Sequence, residues 1–246
     1  MWRAKLGAAA RHGILTLLIS IATYLLVFVL WYPGVFAQLM PGAKLFLLIL
    51  AVEMVLGPCM SLVIFNPSKS KRELVGDYAV VLMLQLAAYG YGVFSVFESR
   101  PAYVVFVKDR LEVVSVAELD AADLREASEV RFGRVPLFGP TFVCVREVSG
   151  AKERERLLFD EIPLGKDVQH LPRFYRNCES SEIINNAFDM QALGAEELQV
   201  RELMASEWAK SSMVWLPVMG KQGVWMAIFD RGSSQLLGYV EYDPFR

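Results

Sequence analysis

Glu53 sits near the middle of an apolar run, Lys44–Phe65, where an ionisable group costs at least about 2.5–3.5 kcal/mol unless it is paired or neutral. Gln85 lies at about the same depth of a second such run, Asp77–Phe97, with Tyr89 one turn on and on the same face. Gly57 and Pro58 follow Glu53 by four and five residues. The proline ring removes one helical hydrogen bond and displaces the carbonyl of Met54, next to the acid. Two uses of this group compete. Glu53 and Gln85 tie two helices together through a hydrogen bond worth about 1–2 kcal/mol, or Glu53 meets a polar group on another membrane protein. The small residues Gly57, Ser61, Ala88, Gly90 and Gly92 offer close-packing faces for either use.

Other reactive chemistry is thinly supplied. The chain has two histidines and three cysteines. His12 abuts the first apolar run and His170 is far along the sequence, so no paired-histidine metal site is expected. No C-x-x-C, G-x-S-x-G, phosphate-binding loop or dinucleotide-binding glycine pattern is present. A serine–histidine–acid site would have to use His170, in Asp167-Val168-Gln169-His170-Leu171-Pro172, and a lone histidine in that setting is usually structural. The expectation is a protein without a catalytic site, a cofactor or a metal. Cys59 lies inside an apolar run, which leaves Cys144 and Cys178. In an oxidising compartment such a pair suggests a disulfide, worth about 3–4 kcal/mol by chain entropy. Two buried free thiols are the alternative.

The elements that position these residues follow from composition. Of 246 residues 54% are hydrophobic and only 21% charged. Residues 1–100 carry eight Lys or Arg against four acids, a net of +4, whereas residues 101–246 carry 17 against 23, a net of −6. This split excludes one soluble globule, a disordered chain and a nucleic-acid binder with a basic face. A bilayer core needs about 20 apolar residues of helix, and three segments supply them: 13–32, 44–65 and 77–97, the third opened by Asp77 as a helix cap. Pro33-Gly34 and Asn66-Pro67-Ser68 separate them.

Arg3, Lys5 and Arg11 before the first span, and Lys69, Lys71 and Arg72 after the second, face the cytoplasm by the bias of short loops. Residues 1–12 are then a cytoplasmic tail, residues 13–97 a three-span membrane domain, and residues 98–246 an extracytoplasmic domain, periplasmic in a Gram-negative host. Val35-Phe36-Ala37 resembles a signal cleavage site, but the apolar stretch before it exceeds a signal core.

The outer part reads as α+β. Tyr103–Val107 and Leu111–Val116 flank Lys108-Asp109-Arg110 as a hairpin, and Thr141–Val148 is a strand. Helices are expected at Asp120–Ser128, Arg154–Asp160, Ser180–Leu193 and Ala195–Lys210. Met213–Val218, Val224–Asp230 and Gln235–Tyr242, joined by glycine-bearing turns, predict a closing three-stranded antiparallel meander.

Several local residues in fixed order carry a resemblance. They are Trp31-Tyr32-Pro33-Gly34, Leu56-Gly57-Pro58 after the intramembrane acid, Phe65-Asn66-Pro67, Asp77, Gln85, Arg100-Pro101-Ala102-Tyr103-Val104-Val105-Phe106 and Asp109-Arg110. Gly139-Pro140, Arg146-Glu147, Leu171-Pro172 and Asp243-Pro244 continue it. The arrangement resembles the TfpX/TfpZ family of type IV pilin accessory proteins, over essentially the whole chain. The acid in the second span is Glu53, where the family pattern leads one to expect Asp. The resemblance implies a multi-pass protein of the bacterial inner membrane that assists stability, production or assembly of a cognate type IV major pilin, without catalysis. Its partners would be that pilin, other inner-membrane pilus assembly proteins and the lipid bilayer, with no nucleic acid. On this reading Glu53, Gly57, Pro58, Gln85 and Tyr89 form or shape the face that meets the pilin helix. A membrane sensor whose outer domain binds a ligand is the alternative, but its cytoplasmic parts are too short for an output domain.

Overall fold

A computed structural model of the chain describes residues 2–193 and 212–245. The helix expected at Ala195–Lys210 lies outside the described residues. The rest divides into two compact units, residues 1–37 with 41–100, and residues 38–40 with 101–246.

The first unit is built from three helices long and apolar enough to cross a membrane. Helix α1 covers Trp2–Leu25 and widens into π turns over Leu26–Trp31. It stops at Tyr32-Pro33-Gly34, where Gly34 takes φ +59°, a conformation open to glycine at little cost. Helix α2 covers Gly42–Ile64 with Pro58 inside it, and α3 covers Lys71–Glu98. Both α1 and α3 exceed the apolar segments read from the sequence, because a helix continues through polar turns that hydropathy does not detect. The start of α3 corrects the expectation placed on Asp77. The cap is Ser70, whose Oγ accepts from Glu73 N–H at 3.2 Å while Glu73 Oε2 accepts from Ser70 N–H at 2.9 Å. This reciprocal pair satisfies two otherwise orphan donors, and Asp77, one and a half turns inside, pairs with Lys69 at 2.5 Å.

Helix α2 packs on both neighbours. A Cβ on Gly57 would stand 3.0 Å from His12 Nε2, and one on Gly92 of α3 would stand 2.7 Å from Ile49 Cδ1. Each glycine thus permits an approach that a side chain would block. At one end of the unit Tyr32 Oη donates to the Val96 carbonyl at 2.7 Å, and Trp31 meets the Phe97 ring edge-on.

The second unit is a mixed eight-stranded sheet with short helices. Strands β1 (Pro101–Val107) and β2 (Arg110–Ser115) form the expected hairpin, turning at Lys108 with φ +55°. The others are β3 (Thr141–Val145), β4 (Tyr175–Arg176), β5 (Phe188–Asp189), β6 (Met213–Gly220), β7 (Gly223–Asp230) and β8 (Leu236–Val240). Their order is β4-β3-β1-β2-β6-β7-β8, with β5 also on β6.

The expected antiparallel meander is one part of a larger, mixed sheet. Strands β6, β7 and β8 do pair antiparallel in turn, but they belong to a sheet made mixed by the parallel pairs β1–β3 and β2–β6. Parallel pairing joins strands distant in sequence, which hairpin glycines cannot reveal. Strand β1 is buried on both faces from Pro101 to Phe106, which explains its unbroken apolar run.

Short helices occupy Ala121–Arg125, Ala151–Glu155 (continued by π turns to Glu161) and Ser180–Asn186. The last is shorter than the expected Ser180–Leu193, because Phe188 and Asp189 leave the helix to pair with β6. Residues Gln38–Met40, between α1 and α2, also belong to this unit. Gln222 N–H donates to the Leu39 carbonyl at 3.0 Å, and Leu39 and Met40 are fully buried.

Candidate functional site

The intramembrane polar residues surround a cavity inside the three-helix unit. A chamber of about 130 Å³ is lined by His12, Thr16 and Ser20 from α1, Glu53 from α2, and Gln85 and Tyr89 from α3. Glu53 and Gln85 share this chamber without bonding to each other. Both polar atoms of the Gln85 amide are buried and lack a hydrogen-bond partner among the described residues. Of the two readings of Glu53, the hydrogen-bonded tie to Gln85 is not made in this structure. An unpaired buried polar group costs about 1–3 kcal/mol.

Other side chains hold the helices together. His12 Nδ1 and Ser61 Oγ are 2.6 Å apart, and Lys5 Nζ donates to the Leu62 carbonyl at 3.2 Å, both between α1 and α2. Tyr89 Oη donates to Thr23 Oγ1 at 2.6 Å, between α3 and α1. Gly57 is buried against His12 and Thr16, and a Cβ on Gly13 would touch Pro58 at 3.3 Å. Of the five residues assigned to a partner-facing surface, Gly57 and Pro58 thus lie in the chain's own α1–α2 contact. Glu53, Gln85 and Tyr89 border the chamber.

Sequence reasoning missed His12, Thr16, Ser20 and Thr23. Their spacing of four, four and three residues marks one helical face. That was the available signal, hidden because each is a modest residue in an otherwise apolar run.

Next to the chamber, between α1 and α3, lies a groove of about 600 Å³. Leu15, Leu74, Val75, Leu82, Ala8 and Ala79 wall it, and Arg11 and Phe65 also border it.

The second unit holds a polar hub around Glu118. Glu118 accepts from Ser115 N–H and Oγ, both at 2.8 Å, from His170 Nε2 at 3.3 Å, and from Lys221 Nζ. Burial pushes this carboxyl up, but the hydrogen bonds from His170, Lys221 and Ser115 outweigh it and hold it at about 2. His170 Nδ1 accepts from Asp167 N–H at 3.2 Å, so Nε2 carries the proton given to Glu118. His170 is thus a positioned structural group in the described geometry. Next to it Glu112 is raised above the usual carboxylate range, first by burial.

Arg146 grips Glu153 with two bonds, at 2.9 and 2.6 Å, and lies over the Phe174 ring. Cys144 and Cys178 are joined in a disulfide with a Cα separation of 5.0 Å. Among the described residues no group of three or more His, Cys, Asp and Glu side chains is placed to hold a metal.

The chain is 27% identical over 243 residues to the fimbrial assembly protein of serogroup I from Dichelobacter nodosus, covering 95% of this chain and 93% of that protein. The corresponding serogroup E1 protein of the same organism matches with the same identity and coverage. The fimbrial assembly protein of its serogroups C1 and C2 is 30% identical over 116 residues, 47% of this chain and 88% of that one. No family model and no solved structure matches the chain.

Proposed function

Because this chain belongs to the family of fimbrial assembly proteins, we propose that it is an inner-membrane accessory protein that assists stability, production or assembly of a cognate type IV pilin. The observation that carries this reading is a similarity running through both the three helices and the outer sheet, over 95% of the chain. A whole-chain match means that the relatives share the membrane part and the outer part together. The physical fit is good. A pilin waits in the membrane with one apolar helix in the bilayer and its head outside. An accessory protein then needs helices that pack laterally and an outer domain that touches the head. The three apolar helices suit the first task, and the acidic residues 101–246 suit selectivity for one pilin head. The role needs no catalytic group, cofactor or metal. The basic residues flanking the helices favour a cytoplasmic N-terminus and a periplasmic outer domain.

The test is a clean deletion strain, with total cellular pilin compared with sheared surface pili. Surface pili are expected to fall and to return when the gene is supplied in trans. The total pool then separates loss of pilin from failure to assemble it. Parental values for both quantities would overturn the reading.

A further inference from the structure

The cavity between α1 and α3 has apolar walls and, at one end, a Gln85 amide without a hydrogen-bond partner among the described residues. The groove of about 600 Å³ and the chamber of about 130 Å³ share His12, Leu15, Leu82 and Gln85, so they adjoin each other. From Leu74 to Tyr89 helix α3 rises about 22 Å, so a helix lying along the groove can set one ridge of side chains into it.

Hydrocarbon alone is a poor occupant. It leaves the Gln85 amide unpaired, at a cost of about 1–3 kcal/mol, and sets Glu53 against apolar chain. A helix with an apolar ridge and one hydrogen-bonding side chain meets both conditions, and such a bond in a membrane adds about 1–2 kcal/mol. Ala8 and Ala79 on the walls let its backbone come close.

We propose that the α1–α3 groove is the docking site for the transmembrane helix of a single-span partner that carries a polar side chain at the depth of Glu53 and Gln85. This inference rests on the assembly role above, which makes the pilin helix the occupant. It also relocates the contact. The Gly57–Pro58 face of α2 is covered by α1, whereas the groove is open.

A photo-crosslinking residue placed at Leu82 or Leu15 in the full-length protein, in its pilus-bearing host, tests the site. Leu48 and Val63 of α2, which are 61% and 76% exposed and border neither the groove nor the chamber, are the controls. A pilin adduct is expected from the groove positions and not from the controls. Gln85→Leu should lower that adduct roughly 5- to 30-fold, the factor equivalent to about 1–2 kcal/mol. It should leave the thermal midpoint of the purified protein unchanged or raised, because it removes an unpartnered amide. A lowered midpoint with an undiminished adduct would assign Gln85 a structural role and overturn the polar contact. Equal adducts from both faces, adducts with lipid only, or adducts with a second copy would overturn the docking site. Loss of surface pili on deletion without any groove adduct removes the docking site and leaves the assembly role standing. Normal piliation on deletion removes that role, and pilin as the occupant with it.

Discussion

Glu118 gathers four donors on one carboxylate, and this fixes how the second unit responds to acid. Its folded pKa of about 2 lies below the ordinary carboxylate value because the hydrogen bonds from His170, Lys221 and Ser115 outweigh its burial. A depressed acid stabilises the fold fully above its unfolded pKa, about 4.3, and loses that contribution as pH falls toward its folded value. Glu118→Gln is expected to cost about 1.5–3 kcal/mol at pH 7, the range for hydrogen bonds to a charged group. Denaturant unfolding of parent and variant from pH 7 to pH 2 checks this. The gap should hold down to about pH 5 and close toward pH 2. A constant gap would show that the carboxylate charge is not what His170 and Lys221 recognise. The hub was hard to read in sequence, since Glu118 and Lys221 are 103 residues apart. Glu53 and Gln85 were easier, because an ionisable or amide side chain in an apolar run stands out against its neighbours.

At the scale of elements, close approach and cross-links decide what can change. Gly57 lies where a Cβ meets His12 and Thr16, whereas nothing stands within 4 Å of a Cβ on Gly90. Gly57→Leu should force α1 and α2 apart at about 1–3 kcal/mol, the usual cost of overpacking, and lower the thermal midpoint of the purified protein. Gly90→Leu should leave the midpoint near that of the parent, and equal losses in the two variants would contradict the packing described. The Cys144–Cys178 bond ties β3 to the segment just after β4, across a separation of 34 residues. Replacing both cysteines with serine is expected to destabilise the second unit by about 3–4 kcal/mol on the chain-entropy estimate. Reduction of the parent should reproduce that loss in denaturant melts. If the reduced parent melts like the oxidised one, the bond contributes nothing.

The whole molecule joins a basic, oily N-terminal part to an acidic C-terminal sheet unit. The orientation proposed from the charge pattern puts the N-terminus and the Asn66–Gly76 loop in the cytoplasm. A phosphatase that requires disulfides, fused after Arg246, should therefore be active, and the same enzyme fused within the loop near Ser68 should be inactive. The reverse pattern would invert the orientation. Exchange of residues 101–246 between homologues that serve different pilins should transfer pilin preference, read as surface pili in each host. Retention of the original preference would move selectivity to the helices.

Composition by itself determined the three membrane-length helices, their order before a sheet domain, and the hairpin β1–β2, because hydrophobic runs and turn residues are local signals. The sequence also held the Ser70-x-x-Glu73 cap and the His12–Thr16–Ser20–Thr23 stripe, but a reading centred on apolar segments passed over both. Only the tertiary structure decided that the sheet is mixed, since the β2–β6 contact joins Leu111 to Val218 across more than a hundred residues. It alone decided that Gly57 and Pro58 serve the chain's own α1–α2 contact, while Glu53 and Gln85 border a common chamber without a hydrogen bond between them. Helical periodicity tells which residues share a face. Which neighbour that face meets depends on how three separate helices pack, and no single segment encodes that.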